Sequence, residues 1–69
     1  MKIEWVEGYA IRVSARDGEV TLSANREGLL SLARQLAALA EGTPGDHIHY
    51  DEDDALEEGS AALIVERVE

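Results

Sequence analysis

"NREGLLSLARQLAALAEG", residues 25–42, is the stretch that decides the fold. Apolar residues recur in it every three or four positions, as they do on one face of an α-helix. The predicted inward face consists of Leu29, Leu32, Ala33, Leu36, Leu39 and Ala40, and the opposite face of Glu27, Ser31, Arg34, Gln35 and Ala38. Asn25 is a good N-cap, and Gly42 is placed to take the left-handed position after the last turn. Gly28, early in this helix, indicates close packing or a later helix start.

Three stretches before the helix alternate between apolar and polar residues, which is typical of half-buried antiparallel strands. They are KIEWVE, YAIRVSA and EVTLSA, residues 2–7, 9–15 and 19–24. Asp17-Gly18 separates the second stretch from the third and favours a type I′ turn, since both central residues of that turn need positive φ. The first part of the chain is thus predicted to form three strands.

Two more strands are predicted after the helix. Residues 46–51, DHIHYD, alternate so that Ile48 and Tyr50 point inward. Residues 61–68, AALIVERV, carry apolar side chains on both faces, which indicates a central strand or one that another subunit covers. The order βββαββ predicts an α+β protein of one domain, residues 1–69, in which one helix covers one face of a mostly antiparallel five-stranded sheet.

Charge is divided unevenly along the chain, whose formal net charge is −9. Residues 1–40 hold five acids and five bases, whereas residues 41–69 hold ten acids and a single base, Arg67. Such a surface repels polyanions, so nucleic acid and anionic membranes are excluded as partners and a basic protein is the natural complement. The alternative interpretation is that the acidity only keeps a small protein soluble.

The N-terminal sequence MKIEWVEGYAIRV, residues 1–13, predicts a cytoplasmic protein. Glu4 and Glu7 interrupt it where a secretory signal would need an apolar run, and no apolar stretch is long enough to span a bilayer. The chain has no Cys, which excludes disulfides and thiolate zinc sites and fits a reducing compartment.

His47, His49 and Asp51 are the candidate metal ligands, because they share one face of a predicted strand. A strand presents its side chains in a row, however, and a tetrahedral site usually needs donors from a second element. Leu56 stands where a calcium-binding EF-hand loop would need Gly. We therefore predict no metal and no cofactor, and we interpret the two His as half-exposed residues bonded to neighbouring carboxylates.

An enzyme is not predicted either. The Ser residues are scattered and belong to no nucleophile motif; they are Ser14, Ser23, Ser31 and Ser60. No Gly-rich phosphate loop opens a helix, and a sheet with one helix leaves little room for a substrate pocket. The sequence favours a binding function over a catalytic one.

Six carboxylates fall within residues 51–58, at Asp51, Glu52, Asp53, Asp54, Glu57 and Glu58. A run of this kind usually only solvates a loop, and that interpretation stays open. The alternative is a docking surface for the basic site of a partner, whose association the charges would accelerate. On this hypothesis the partner-binding residues are His49, Tyr50, Asp51, Asp53, Asp54, Glu57 and Glu58.

Three features of residues 28–69 resemble a family of small bacterial immunity proteins of polymorphic toxin systems. They are the helix LLSLARQLAALA, the strand HIHYDE, and the turn LEEGS that leads into LIVERV. The resemblance implies an α+β fold and a role in neutralising a toxin made by the same or a neighbouring cell. It implies no catalytic residues.

The leading hypothesis is therefore a non-catalytic immunity protein that binds a basic protein toxin through the acidic hairpin and the adjacent sheet face. A nuclease is one candidate for the toxin, because its cleft is built to hold phosphates. The alternative is a small structural or regulatory homodimer with no toxin partner. Ile64 and Val68, on the second face of the last strand, predict a homodimer, since the thin domain would otherwise leave them in water.

Overall fold

The computed structural model describes residues 3–69 of the chain. In this part, four strands and one helix follow one another as β1 (Ile11–Arg16), β2 (Glu19–Ala24), α1 (Arg26–Ala40), β3 (His47–Tyr50) and β4 (Leu63–Glu66). The strands form two separate antiparallel sheets, β1–β2 and β3–β4. The α+β class is confirmed, whereas the prediction of one five-stranded sheet in the order βββαββ is wrong.

The first hairpin, formed by β1 and β2, closes through a two-residue turn. Asp17 and Gly18 both have positive φ, 50° and 81°, as a type I′ turn requires, so this turn is confirmed. The register places Val13 opposite Leu22. Because Val13 is almost fully buried, the hairpin gives one face to the core.

Residues 3–7 were predicted to belong to a strand, and they form none. Side chains of the helix satisfy the backbone of this segment instead. The Val6 N–H donates to Ser31 Oγ (2.8 Å). Gln35 Nε2 donates to the Glu4 carbonyl (2.7 Å). The segment is therefore fastened along α1 and adds no strand to a sheet; the first residue of the predicted strand lies outside the described residues.

Helix α1 begins as predicted but ends differently. Asn25 is the N-cap, and its side chain accepts a hydrogen bond from the Gly28 N–H (2.8 Å). Close packing explains Gly28, since a Cβ there would lie 2.7 Å from a carbonyl oxygen of the segment before β1. The left-handed glycine after the helix is Gly45 (φ 97°) and not Gly42. Gly42 instead tightens the last turn, because its N–H donates to the Leu39 carbonyl (3.1 Å).

The buried face of α1 is rotated away from the predicted one. Ser31 and Gln35, predicted to face outward, are fully buried. Leu29 and Leu36, predicted to face inward, are 55% and 44% exposed, so the prediction is wrong for these residues. The N-terminal segment causes the rotation, because it covers the helix beside the two polar side chains and bonds to them. The exposed residues that result form what we call the apolar stripe: Leu29, Ala33, Leu36 and Ala40.

The second hairpin, formed by β3 and β4, follows the predicted alternation. Ile48 and Tyr50 are buried, as predicted, and Leu63 and Val65 of β4 are half-buried. Ile64, between the last two, is 58% exposed. This hairpin thus gives one face to the core and turns the other toward solvent.

One apolar cluster holds the helix and both hairpins together. It consists of Ile11, Val13, Leu32, Leu39, Ile48, Tyr50, Ala55 and Leu56. Trp5 closes one side of the cluster, since its ring stacks on Tyr9 (4.3 Å between centroids) and meets Tyr50 edge-on (6.2 Å). Two members of the cluster, Ala55 and Leu56, come from the connection between β3 and β4, and that connection carries the acidic run.

Candidate functional site

The acidic run lies in the connection between β3 and β4, and we call residues 51–62 the acidic connection. The Asp51 carbonyl closes its first turn by accepting hydrogen bonds from the N–H groups of Ala55 (3.0 Å) and Leu56 (2.8 Å). Leu56 is only 6% exposed, so an apolar side chain anchors the run in the core.

The acidic connection also runs along the edge of β1 that β2 leaves free. The Glu57 N–H donates to the Ile11 carbonyl (2.8 Å). Further along, the Ala61 N–H donates to the Val13 carbonyl (2.8 Å), and the Val13 N–H donates to Ser60 Oγ (3.2 Å). These bonds occupy the edge of β1 and join the two sheets without merging them into one ladder.

Four of the six carboxylates have no side-chain partner in the part of the chain that the structure describes. Two do have partners: Asp51 Oδ1 accepts from the Asp53 N–H (3.0 Å), and Glu52 Oε2 accepts from the Gly59 N–H (2.7 Å). Arg12 reaches the connection but donates to the Glu58 backbone carbonyl (3.0 Å). Within residues 3–69 no side-chain hydrogen bond or ion pair forms with the exposed carboxylates of Asp53, Asp54, Glu57 and Glu58. No base of residues 3–69 pairs with these four negative charges.

Tyr50, predicted to contact a partner, is a core residue. It is 1% exposed, and its hydroxyl donates to Gln35 Oε1 (2.8 Å). Burial raises the pKa of the Tyr50 hydroxyl above its ordinary value, since the ionised form would lose its water. Tyr50 thus joins the second hairpin to α1 and offers no surface to a partner in this conformation.

His49 lies on the outer face of the second hairpin beside His47. The register places His47 opposite Glu66 and His49 opposite Ile64, and the two imidazole centroids are 5.0 Å apart. The polar contact that His47 makes is with the Gly45 carbonyl oxygen, 3.3 Å from Nδ1. Bonds from the two His to carboxylates, which the sequence predicted, are absent among residues 3–69.

Other site types find little support in the described part of the chain. No group of three or more metal-binding side chains comes together there. No helix of residues 3–69 has the length and apolarity that a membrane crossing requires. A shallow polar depression lies at the tip of the first hairpin, lined by Ser14, Arg16, Asp17, Glu19 and Thr21. The cytoplasmic location stays a prediction.

Sequence reasoning missed the residues that hold the acidic connection in place. Ala55 and Leu56 interrupt the run of carboxylates, and an apolar pair between acids is a signal that the chain turns inward. Gly59 has a positive φ (86°), which allows the tight turn before Ser60 reaches β1. These neighbours convert an acidic run into an ordered surface.

Comparison with known proteins gives one family. No curated protein and no solved structure matches the chain. The model of the family described as Immunity protein 32 matches residues 19–68, from the start of β2 to just beyond β4. The match confirms the resemblance drawn from the helix, the HIHYDE strand and the LEEGS turn. The chain therefore belongs to the Immunity protein 32 family.

Proposed function

We propose that this protein is a non-catalytic inhibitor that binds and neutralises a cognate toxin, with the acidic connection as its main contact. Family membership supports the toxin-neutralising role. One observation carries the choice of surface: exposed carboxylates that no base in residues 3–69 neutralises stand on a backbone fixed to β1 and the core. These carboxylates belong to Asp53, Asp54, Glu57 and Glu58.

An acidic surface that is held in place favours a basic partner. Because the acidic connection is bonded to β1 and anchored by Leu56, its carboxylates need little ordering when a partner arrives. Like charges that lie close together repel one another, and a cationic partner relieves that repulsion. We infer that the toxin presents a basic site. A nuclease fits this description, because its cleft attracts phosphates.

The outer face of the second hairpin extends the proposed contact. His49 and Ile64 are exposed cross-strand neighbours there, and they offer contact area next to the charged residues. Asp51 is half-buried and orders the first turn of the acidic connection. The proposed contact residues are His49, Asp53, Asp54, Glu57 and Glu58, with Asp51 and Tyr50 in supporting positions behind them.

The test is the double variant Asp53→Asn with Asp54→Asn, which removes two charges and keeps the side-chain shapes. Both carboxylates are exposed, so the fold should not change. We expect association with the cognate toxin to slow by roughly tenfold, and its salt dependence to flatten, because electrostatic steering is reduced. Stopped-flow mixing at two salt concentrations measures both quantities.

The matched control is Glu7→Gln with Glu19→Gln. It removes the same total charge from exposed positions outside the acidic connection. It should change the association rate constant much less than the Asp53 and Asp54 variant does. If the control slows association and the acidic-connection variant does not, the toxin binds near the first hairpin and our assignment of the surface is wrong.

A further inference from the structure

The outer edge of β2 carries backbone groups with no partner among residues 3–69. Val13 and Leu22 are a cross-strand pair. The N–H and C=O of Val13 both point away from β2, where they bond to Ser60 and Ala61. In an antiparallel ladder, the backbone groups of two paired residues point either toward each other or away from each other. Since those of Val13 point away from β2, the N–H and C=O of Leu22 point away from β1 and face the outer edge of β2. The N–H and C=O of Val20, two residues earlier, also face the outer edge of β2.

This edge is apolar, and no backbone group of residues 3–69 pairs with it. Val20 is 65% exposed and Leu22 is 38% exposed, and both side chains lie on the hairpin face that also carries Val13. Proteins usually protect an exposed edge strand with Lys, Pro or a bulge. β2 contains no Lys or Pro, and its register with β1 is unbroken. Such an edge is a template for one more strand.

We propose that a second copy of this chain pairs antiparallel with the outer edge of β2, so that the two first hairpins form one four-stranded sheet. The edge is self-complementary when the two-fold axis passes between Thr21 and Thr21 of the other copy. Val20 of one chain then forms a hydrogen-bonded pair with Leu22 of the other, and the symmetry repeats this pair. Each pair exchanges two backbone hydrogen bonds and brings the two apolar side chains together.

The charge distribution favours this edge over the edge of β4. Two chains of net charge −9 repel one another, and the repulsion is smallest where the first halves meet, since residues 1–40 carry five acids and five bases. Glu19 is the charged residue of β2, and the proposed register places it opposite Ser23 of the other copy rather than another Glu. The edge of β4 carries Glu66 and lies in the half of the chain that holds ten acids and one base.

The size of the surface indicates a reversible dimer. A stable interface covers roughly 800 Å² of each partner, which is about a sixth of the 4880 Å² accessible surface of this chain. The strand junction alone covers less, so we expect a dimer Kd of micromolar order. This surface is separate from the acidic connection, and the inference does not depend on the proposed function.

A single Cys at position 21, beside the proposed two-fold axis, tests the register directly, because the chain contains no other Cys. Opposed residues of a non-hydrogen-bonded antiparallel pair have Cα atoms about 4.5 Å apart, which lies within the range that a disulfide spans. Thr21→Cys should therefore oxidise to a covalent dimer at micromolar concentration. The control is Ile64→Cys, similarly exposed on the other hairpin. If Thr21→Cys cross-links no faster than the control, the proposal is wrong.

Sedimentation across a range of concentrations gives an independent test without oxidation. Val20→Lys should raise the dimer Kd at least about tenfold, because Lys on an edge strand opposes further pairing. Ile64→Lys, which adds the same charge to the second hairpin, should leave the dimer intact. A parent chain that sediments as a monomer up to about 100 μM overturns the proposal. A dimer that Ile64→Lys dissociates and Val20→Lys does not also overturns it, and would place the interface on β4.

Discussion

The first hairpin joins β1 to β2 through Asp17 and Gly18 alone, whereas the second joins β3 to β4 through residues 51–62. No backbone group of residues 3–69 bonds to the outer edge of β2. The long connection crosses to the first hairpin and covers the edge of β1. The first hairpin belongs to the half of the chain without net charge, and the second to the half with ten acids and one base.

The two hairpins therefore carry different kinds of surface. Within residues 3–69, the first hairpin, whose charges sum to zero, carries exposed Val20 and Leu22 and backbone groups without a partner. The carboxylates without a hydrogen bond or ion pair in that range lie beside the second hairpin. Both hairpins depend on the same core, to which Val13 and Leu56 contribute from either side. A mutation in that core should therefore affect both surfaces, and one outside it should affect a single surface.

The largest expected effect distinguishes an anchored connection from a solvated loop. Leu56→Ala should lower the free energy of unfolding by about 2–5 kcal/mol, because it leaves a cavity between the two hairpins. Leu36→Ala, on the exposed apolar stripe, should cost less than about 1 kcal/mol. Urea unfolding of both variants measures the two values. Equal losses would show that the acidic connection is not packed as described.

A smaller effect is expected where α1 holds the second hairpin. Gln35→Ala removes the acceptor of the Tyr50 hydroxyl and the donor to the Glu4 carbonyl, so it should cost about 1–3 kcal/mol. Arg34→Ala, one residue earlier and exposed, is the control and should stay close to the parent. If both variants unfold at the same urea concentration, the buried polar contacts do not stabilise the junction.

The smallest effect concerns the pH dependence of stability. Burial raises the pKa of the Tyr50 hydroxyl above the ordinary value of 10.0, so the unfolded chain releases this proton at lower pH than the folded chain does. The contribution to stability is complete below pH 10 and is lost as the pH rises from there through the folded pKa. Tyr50→Phe should lose this part of the alkaline decline. The melting temperatures of the parent and of Tyr50→Phe, measured between pH 8 and about 11, give one slope against pH for each protein. Identical slopes would contradict the assignment.

Local features of the fold were predictable because their causes are local. Asp17-Gly18 dictates its turn, and Asn25 caps the helix that follows it. The buried face of α1 was not predictable from leucine spacing. It depends on Ser31 and on Gln35, which bond to backbone groups 25 and 31 residues away, and the periodicity of a helix carries no information about such partners.

The candidate site was predictable in position and not in structure. The density of carboxylates located it, but the role of Leu56 as its anchor follows only from the packing. Tyr50 shows the limit most clearly. The strand alternation placed its side chain inward, while the charge argument made it a contact residue, and the burial supports the first of these two inferences.

Hydrogen exchange tests the separation of the two surfaces most directly. Amide exchange should be followed for this protein alone at two concentrations, and then with its cognate toxin. The account predicts that the amides of Val20 and Leu22 become slower with protein concentration and do not respond to the toxin. It predicts that the toxin slows amides within residues 52–59 instead. Slowing of Val20 and Leu22 by the toxin, with no change in the acidic connection, would contradict the account.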